Sequence, residues 1–309
     1  MISVKGLTKR YGEERAVNDI SFEVQKGEVL GFLGPNGAGK TTTMKVITCF
    51  LPPSEGTVYV DGMDVRTNSL AVRAKIGYLP ENTPLYQEMT VFDYLLFVAS
   101  MRGVEPKKRV SRIAEMADVC GLNSVISKRI EALSKGYRQR VGLAQAMIHE
   151  PSIVILDEPT TGLDPNQIVE IRELIQNIGA DRTVILSTHI LSEVELSCDR
   201  VLIINRGELV ADGTPKDLRA GFAGDQTIRF GVKSDAAPVH DALADWKGIN
   251  ISETISLPED ETVFILTTKN TDDVRPDLFR LAADNGWAMS ELSRVTVNLE
   301  DVFRELTRD

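Results

Sequence analysis

Cysteine, aromatic residues and long apolar runs are all scarce in this chain. Its three cysteines, Cys49, Cys120 and Cys198, lie far apart with no paired spacing, which argues against a disulfide framework or a zinc site. No apolar stretch approaches the roughly 18 residues a bilayer-crossing helix needs, so the chain is not expected to span a membrane. The opening MISVKGLTKRYG holds no apolar segment of signal-peptide length, and a cytoplasmic chain is expected. A cationic surplus is missing too. Residues 1–220 carry 26 Lys/Arg against 28 Asp/Glu, and residues 221–309 carry 9 against 17. An acidic second part lacks the positive surface that displaces phosphate counterions, so no nucleic-acid partner is expected.

What is present is ordinary globular material: 42% hydrophobic and 26% charged residues over 309 positions. That length suits one large domain plus a smaller one. VLGFL (29–33), IVIL (153–156), TVILS (183–187) and RVLII (200–204) are short β-rich runs of the kind covered on both faces. Between the second and third, Ile168, Ile171, Leu174, Ile175 and Ile178 form one helical face, opened by Asp164-Pro165-Asn166 and closed by Gly179. Strand–helix–strand order at about 30 residues per unit predicts a parallel sheet with right-handed crossovers. Residues 88–150 read as mostly helical, an insertion into that α/β core. Gly221–Asp225 reads as a linker. Beyond it, TIRFGV (227–232), INISE and TVFILTT read as strands, with helices near 236–246 and 272–285. A strand RVTVNL and a last helix follow, the latter with Leu299, Val302, Phe303 and Leu306 on one stripe. The order predicts a small α+β domain with a split β-α-β plan over 221–309. No internal repeat, heptad tract or low-complexity segment is visible.

GPNGAGKT (34–41) follows the strand VLGFL and opens a helical pattern. The template Gly-x4-Gly-Lys-Ser/Thr arises by chance in such a chain on the order of 1% of the time, and its strand-to-helix context lowers that further. Gly34, Gly37 and Gly39 let the backbone curl so that successive N–H groups face phosphate oxygens, with Pro35, Asn36, Ala38 and Thr42 completing the turn. The helix start adds its dipole. Lys40 supplies a point charge near the β- and γ-phosphates, and the Thr41 hydroxyl is a ligand for Mg²⁺. IVILDEP ends in Asp157-Glu158 at the carboxyl edge of the same sheet. Asp157 suits Mg²⁺, and Glu158 suits acceptance of a proton from an attacking water.

Together these residues resemble the nucleotide-binding subunit of an ATP-binding-cassette transporter, over about residues 1–220. LSKGYRQR (133–140) is similar to that family's signature motif. The resemblance implies that Ser134 and Gly136 contact the γ-phosphate held by a second copy, which is sound chemistry for a hydroxyl and an N–H at a helix start. It implies that Tyr11 stacks on adenine, that Gly162-Leu163-Asp164 links two catalytic sites, and that His189 is the switch histidine on the γ-phosphate. Three positions depart from the family: Lys135 stands for Gly, Tyr137 for Gln, and Glu81, in IGYLPENTPLY, for Gln. Glu81 still suits a metal but adds negative charge near the γ-phosphate. PEN-x-PLY, LSKGY and the ending NLEDVFRELT resemble one branch of bacterial exporters whose ATPase is a separate chain, closest to gliding-motility-type, multidrug and daunorubicin-resistance subunits. The resemblance implies an ATP-dependent homodimer on the inner face of the membrane, held by an integral-membrane permease. A regulator of a motility or cell-wall complex without cargo is the second reading. A generic P-loop kinase accounts for neither LSKGY nor His189. One cassette without heptads or coiled coils is unlike translation or repair ATPases.

Overall fold

The computed structural model describes residues 1–222, 226–244, 246, 249–258, 261–268, 273–295 and 298–308. It divides into two compact units, Met1–Pro215 with Phe303–Asp309, and Lys216–Val302.

The first unit opens with an antiparallel hairpin, β1 (Ile2–Tyr11) and β2 (Glu14–Val24). Then come β3 (Val29–Leu33), α1 (Lys40–Ile47), β4 (Glu55–Val60), β5 (Met63–Asp64), α2 (Ser69–Lys75) and β6 (Ile76–Leu79). Three helices follow, α3 (Val91–Met101), α4 (Arg109–Val119) and α5 (Lys135–Met147). The core resumes with β7 (Ile153–Asp157), α6 (Pro165–Gly179), β8 (Thr183–Thr188), α7 (Leu191–Ser197), β9 (Arg200–Asn205) and β10 (Glu208–Gly213).

A six-stranded sheet runs β10-β9-β3-β8-β7-β6. β9, β3, β8, β7 and β6 are mutually parallel and β10 is antiparallel to β9. The four runs read as buried strands are β3, β7, β8 and β9, and every residue of β3 and β7 is buried. A second, antiparallel sheet, β2-β1-β4-β5, has no counterpart in the parallel plan expected from sequence. Its period is hard to read because β1 slips register against β2 three times, between Val4 and Arg10. α1 lies in the apolar layer that both sheets share, with Met44, Val46 and Ile47 packed among Ile2, Leu7, Val58, Phe32 and Ile155. On the other face of the central sheet, Ile171, Leu174, Ile175 and Ile178 of α6 join Val91, Leu95, Ile113, Met116 and Leu143 of the inserted helices. Each such side chain contributes roughly 1.5–3 kcal/mol by leaving water. Ile168, read into that stripe, is only half-buried.

α8 (Pro215–Phe222) crosses the boundary between the units. It carries the chain through Gly221 and Phe222, where the sequence suggested a linker; residues 223–225 lie outside the described residues. The second unit contains β11 (Gln226–Lys233), α9 (Ala236–Ala244), β12 (Ile249–Leu257), β13 (Glu261–Thr268), α10 (Arg275–Asp284) and β14 (Ala288–Val295). Its sheet, β12-β13-β11-β14, is antiparallel throughout and follows a split β-α-β-β-α-β order. Phe230, Phe264 and Leu266 pack against Val239, Leu243 and Leu278 of its helices. The last strand is AMSELSRV rather than RVTVNL: its polar alternate positions hide it from a search for β-branched runs, and residues 296–297 lie outside the described residues. α11 (Leu299–Leu306) buries Leu299 and Val302.

Candidate functional site

Three neighbouring parallel strands, β3, β8 and β7, end at one level: Leu33 is paired with Thr188, and Asp157 with Ser187. The loops beyond them therefore converge at the carboxyl edge of the sheet, where open α/β sheets bind ligands. Their side chains enclose a cavity of about 290 Å³ lined by Asn36, Gly37, Gly39, Lys40, Thr41, Thr42, Glu81, Glu158, Thr161 and His189.

The turn after β3 is built on glycine for two reasons. Gly39, the residue before α1, has φ of +107°, and a Cβ there would sit 2.5 Å from the Ala16 carbonyl oxygen. Gly34 lies so close to β9 that a Cβ would come 2.4 Å from the Ile204 carbonyl oxygen. The backbone can thus curl back over the start of α1, where unpaired N–H groups and the helix dipole favour an anion.

Lys40 is 6% exposed. Its ammonium donates to the carbonyls of Gly34 (2.8 Å) and Pro35 (3.2 Å) and lies 3.3 Å from Glu158 Oε1. Glu158 sits just past β7 at φ +50°, with its N–H bonded to the Ser187 carbonyl at 2.9 Å. A non-glycine residue in the left-handed region costs of order 1 kcal/mol, and here it turns the carboxylate into the cavity. Oε2 accepts from Thr161 Oγ1 at 3.1 Å and faces His189 Nδ1 at 2.8 Å. An ionised carboxylate only accepts, so Nδ1 carries the proton and Nε2 is left as the ring's other polar atom.

Asp157, fully buried, lies beneath the cavity. Its Oδ1 accepts from Thr41 Oγ1 (3.2 Å) and from Ser187 Oγ, while its Oδ2 has no protein partner. Burial pushes its carboxyl above the usual range; the bonds from Ser187 and Thr41 oppose that, and the neighbouring Glu158 charge adds to it. A buried oxygen atom without a partner, beside a threonine hydroxyl, is the donor set a hard cation takes. Among the described residues no cluster of three His, Cys, Asp or Glu could hold a metal alone.

Of the residues the sequence pointed to, Gly34, Pro35 and Ala38 belong to the turn behind this lining and Asp157 to the strand end beside it, whereas Tyr11, Ser134, Gly136 and Asp164 lie on other elements. Tyr11 is 48% exposed at the end of β1, with the Lys9 ammonium 5.6 Å from its ring centre. Ser134 caps α5, accepting from the Tyr137 N–H at 3.4 Å. Gly136 is buried against α6, where a Cβ would meet Gln167 at 2.7 Å. Asp164 caps α6 through the Gln167 N–H at 3.0 Å. Lys135 lies across the loop after β7: its Nζ is 2.2 Å from where a Cβ on Gly162 would stand, and Gly162 has φ of +72°. Thr161 and Ser187 were missed. Their only signal was position, in the loop after the acidic pair and at the end of TVILS.

Glu81, Thr41 and Asp157 also border a second cavity of about 440 Å³, with Lys45, Phe50, Tyr78, Pro84, Arg102 and Gln145. Phe50 is 72% exposed on its rim.

Fold and site together define a P-loop ATPase. Two family models match: one described as ABC transporter covers residues 17–161, and one described as AAA domain, putative AbiEii toxin, Type IV TA system covers residues 129–195. The linearmycin resistance ATP-binding protein LnrL of Bacillus subtilis is 32% identical over 308 residues, 99% of this chain and 98% of LnrL. The "Nod factor export ATP-binding protein I" of Burkholderia orbicola is 33% identical over 99% of this chain and 96% of its own. The "Probable multidrug ABC transporter ATP-binding protein YbhF" of Escherichia coli is 39% identical over 73% of this chain, a match that spans only 39% of YbhF. Among solved structures, an ATP-binding subunit of an ABC transporter superposes with TM-score 0.66 at 32% identity, over 72% of this chain and 93% of its own. A dimeric ATP-binding cassette, MJ0796, in a post-hydrolysis state bound to ADP and Pi, gives 0.64 at 25% identity, over 69% and 98%. The chain belongs to the ABC transporter family, as an ATP-binding subunit.

Proposed function

We propose that the chain hydrolyses ATP between two copies of itself to drive a separate membrane permease, in the export direction. The observation that carries this reading is the meeting of Lys40, Glu158 and His189 at 3.3 and 2.8 Å where the turn after β3 ends in α1. That turn would cradle the triphosphate, with Lys40 beside the β- and γ-phosphates. Glu158 orients the attacking water and takes its proton, held by Thr161 and His189. His189 Nε2 is the ring atom left for the γ-phosphate, to which it can donate only when both ring nitrogens carry protons. Thr41, Asp157 and Glu81 would hold Mg²⁺, which supplies neutralisation of charge developing on the phosphates.

Ser134 and Gly136 are absent from the lining of their own chain's cavity, and the dimeric cassette among the structural relatives supports a second copy whose nucleotide they approach. Tyr11 would stack on the adenine, and Asp164 would lie at the junction of the two sites. The permease would sit in the groove beside Phe50 and Pro84, opening and closing with the dimer. That arrangement implies a place on the cytoplasmic face of the membrane; among the described residues no helix is long and apolar enough to cross it. Relatives named for linearmycin resistance and Nod factor export support export over regulation without cargo. Steady-state phosphate release from Mg-ATP tests the reading: the wild type turns over, and Lys40→Ala does not. Equal release by both would overturn it.

A further inference from the structure

Outside the cavity lining, a buried carboxylate ties two of its walls together. Glu193, in the first turn of α7, is 2% exposed. Thr160 Oγ1 donates to its Oε1, and Thr188 Oγ1 donates to its Oε2 at 2.8 Å. Both threonines are buried. Thr160 stands two residues after Glu158, and Thr188 immediately precedes His189. The Thr188 hydroxyl also accepts the Ile190 N–H at 3.0 Å, bracketing His189, and the Thr188 carbonyl accepts the Gly34 N–H at 3.4 Å. One carboxylate thus spans the loop that presents Glu158 and the loop that presents His189. A buried carboxylate is costly, and an apolar side chain would fill this corner of α7 more cheaply. Its return is geometric: it sets the separation of two loops whose side chains must meet within a fraction of an ångström.

We propose that Glu193 is a positioning residue for hydrolysis, acting through Thr160 and Thr188 to hold Glu158 against His189; this rests on the hydrolytic pair assigned above. Glu193→Gln tests it. Glutamine keeps one accepting oxygen and sets a donor against the other threonine, so one charge-assisted bond is lost and that hydroxyl must rotate its proton away and accept instead. Three readouts are taken: hydrolysis kinetics, melting temperature, and the ring resonance of His189, assigned by its loss in His189→Ala. The expected result is a kcat lower by roughly tenfold to a hundredfold with KM changed by less than about threefold. The His189 resonance moves in the direction it takes in Glu158→Gln. In a His189→Ala background, Glu193→Gln adds much less, because both act on one contact.

A wild-type kcat with an unmoved His189 resonance would overturn the proposal, as would a kcat loss fully additive with His189→Ala. If Glu193→Gln fails to fold, Thr188 decides: Thr188→Val lowers kcat and Thr188→Ser restores most of it, whereas equal rates in the two overturn the proposal. A wild type that hydrolyses no ATP would instead overturn the proposed function, and the His189 resonance would still decide on the clamp.

Discussion

At the carboxyl edge of β3, β8 and β7, Lys40, Glu158 and His189 are tied to one another within one chain, as Asp157 is to Thr41 and Ser187. At the start of α5, Ser134 and Lys135 are exposed to solvent, and the hydroxyl of Ser134 does no more than cap its own helix. The contrast separates two ways of making a site. The cavity side is preorganised by the sheet, whose strand ends deliver each group to the same level. The α5 side offers a cap and a cation, and under the proposed reading a second copy's nucleotide completes it.

The sharpest way to break that contrast is to damage each side in turn. Glu158→Gln should lower steady-state ATP hydrolysis by roughly 10²–10⁴-fold, while nucleotide affinity, measured by fluorescence titration of dilute protein, stays within a few-fold. Ser134→Arg should bring hydrolysis to a similar floor by another route. Its affinity for nucleotide in dilute protein is unchanged, but the rise of specific activity with protein concentration disappears. If Ser134→Arg weakened binding in dilute protein, the two sides would not be separable. A smaller effect is expected from Thr161→Val, which removes one bond to Glu158 Oε2. At roughly 1.5–3 kcal/mol for a hydrogen bond to a charged group, kcat should fall roughly tenfold to a hundredfold with KM unchanged.

His149 belongs to neither side and should affect folding alone. Its Nε2 faces the Ile76 carbonyl at 3.2 Å; burial, with the Arg102 charge second, lowers its pKa from 6.5 to about 4. Between those values the unfolded chain binds more protons, so stability is full above pH 6.5 and is lost as pH falls through about 4. Melting temperature against pH should show this acid limb, flattened in His149→Gln, with hydrolysis at neutral pH unaltered.

Much of the cavity side was legible because its chemistry is local in sequence: GPNGAGKT and ILDEP each bring their groups in one run. The parallel strands were legible because β3, β7, β8 and β9 are short, apolar and buried on both faces. The antiparallel sheet was not, since the register slips in β1 erase its period. β6 is four residues long and contains Gly77, where a Cβ would stand 2.2 Å from the Ala146 carbonyl oxygen. That glycine reports the close approach of α5, which no strand pattern encodes. Ser187 and Glu193 were illegible for a different reason: each works through a partner brought near by the fold, Asp157 thirty residues before Ser187 and Thr160 33 residues before Glu193, while Thr161 stands three residues from Glu158 and belongs to no pattern of its own.

Hydrolysis at a shared site requires that ATP bring the two sides together across two copies. Light scattering on Glu158→Gln with and without Mg-ATP measures this directly. The expected result is a monomer that becomes a dimer when Mg-ATP is added, and that stays a monomer when Ser134→Arg is combined with Glu158→Gln. A Glu158→Gln protein that binds Mg-ATP yet stays monomeric at concentrations well above its nucleotide affinity would contradict the shared site.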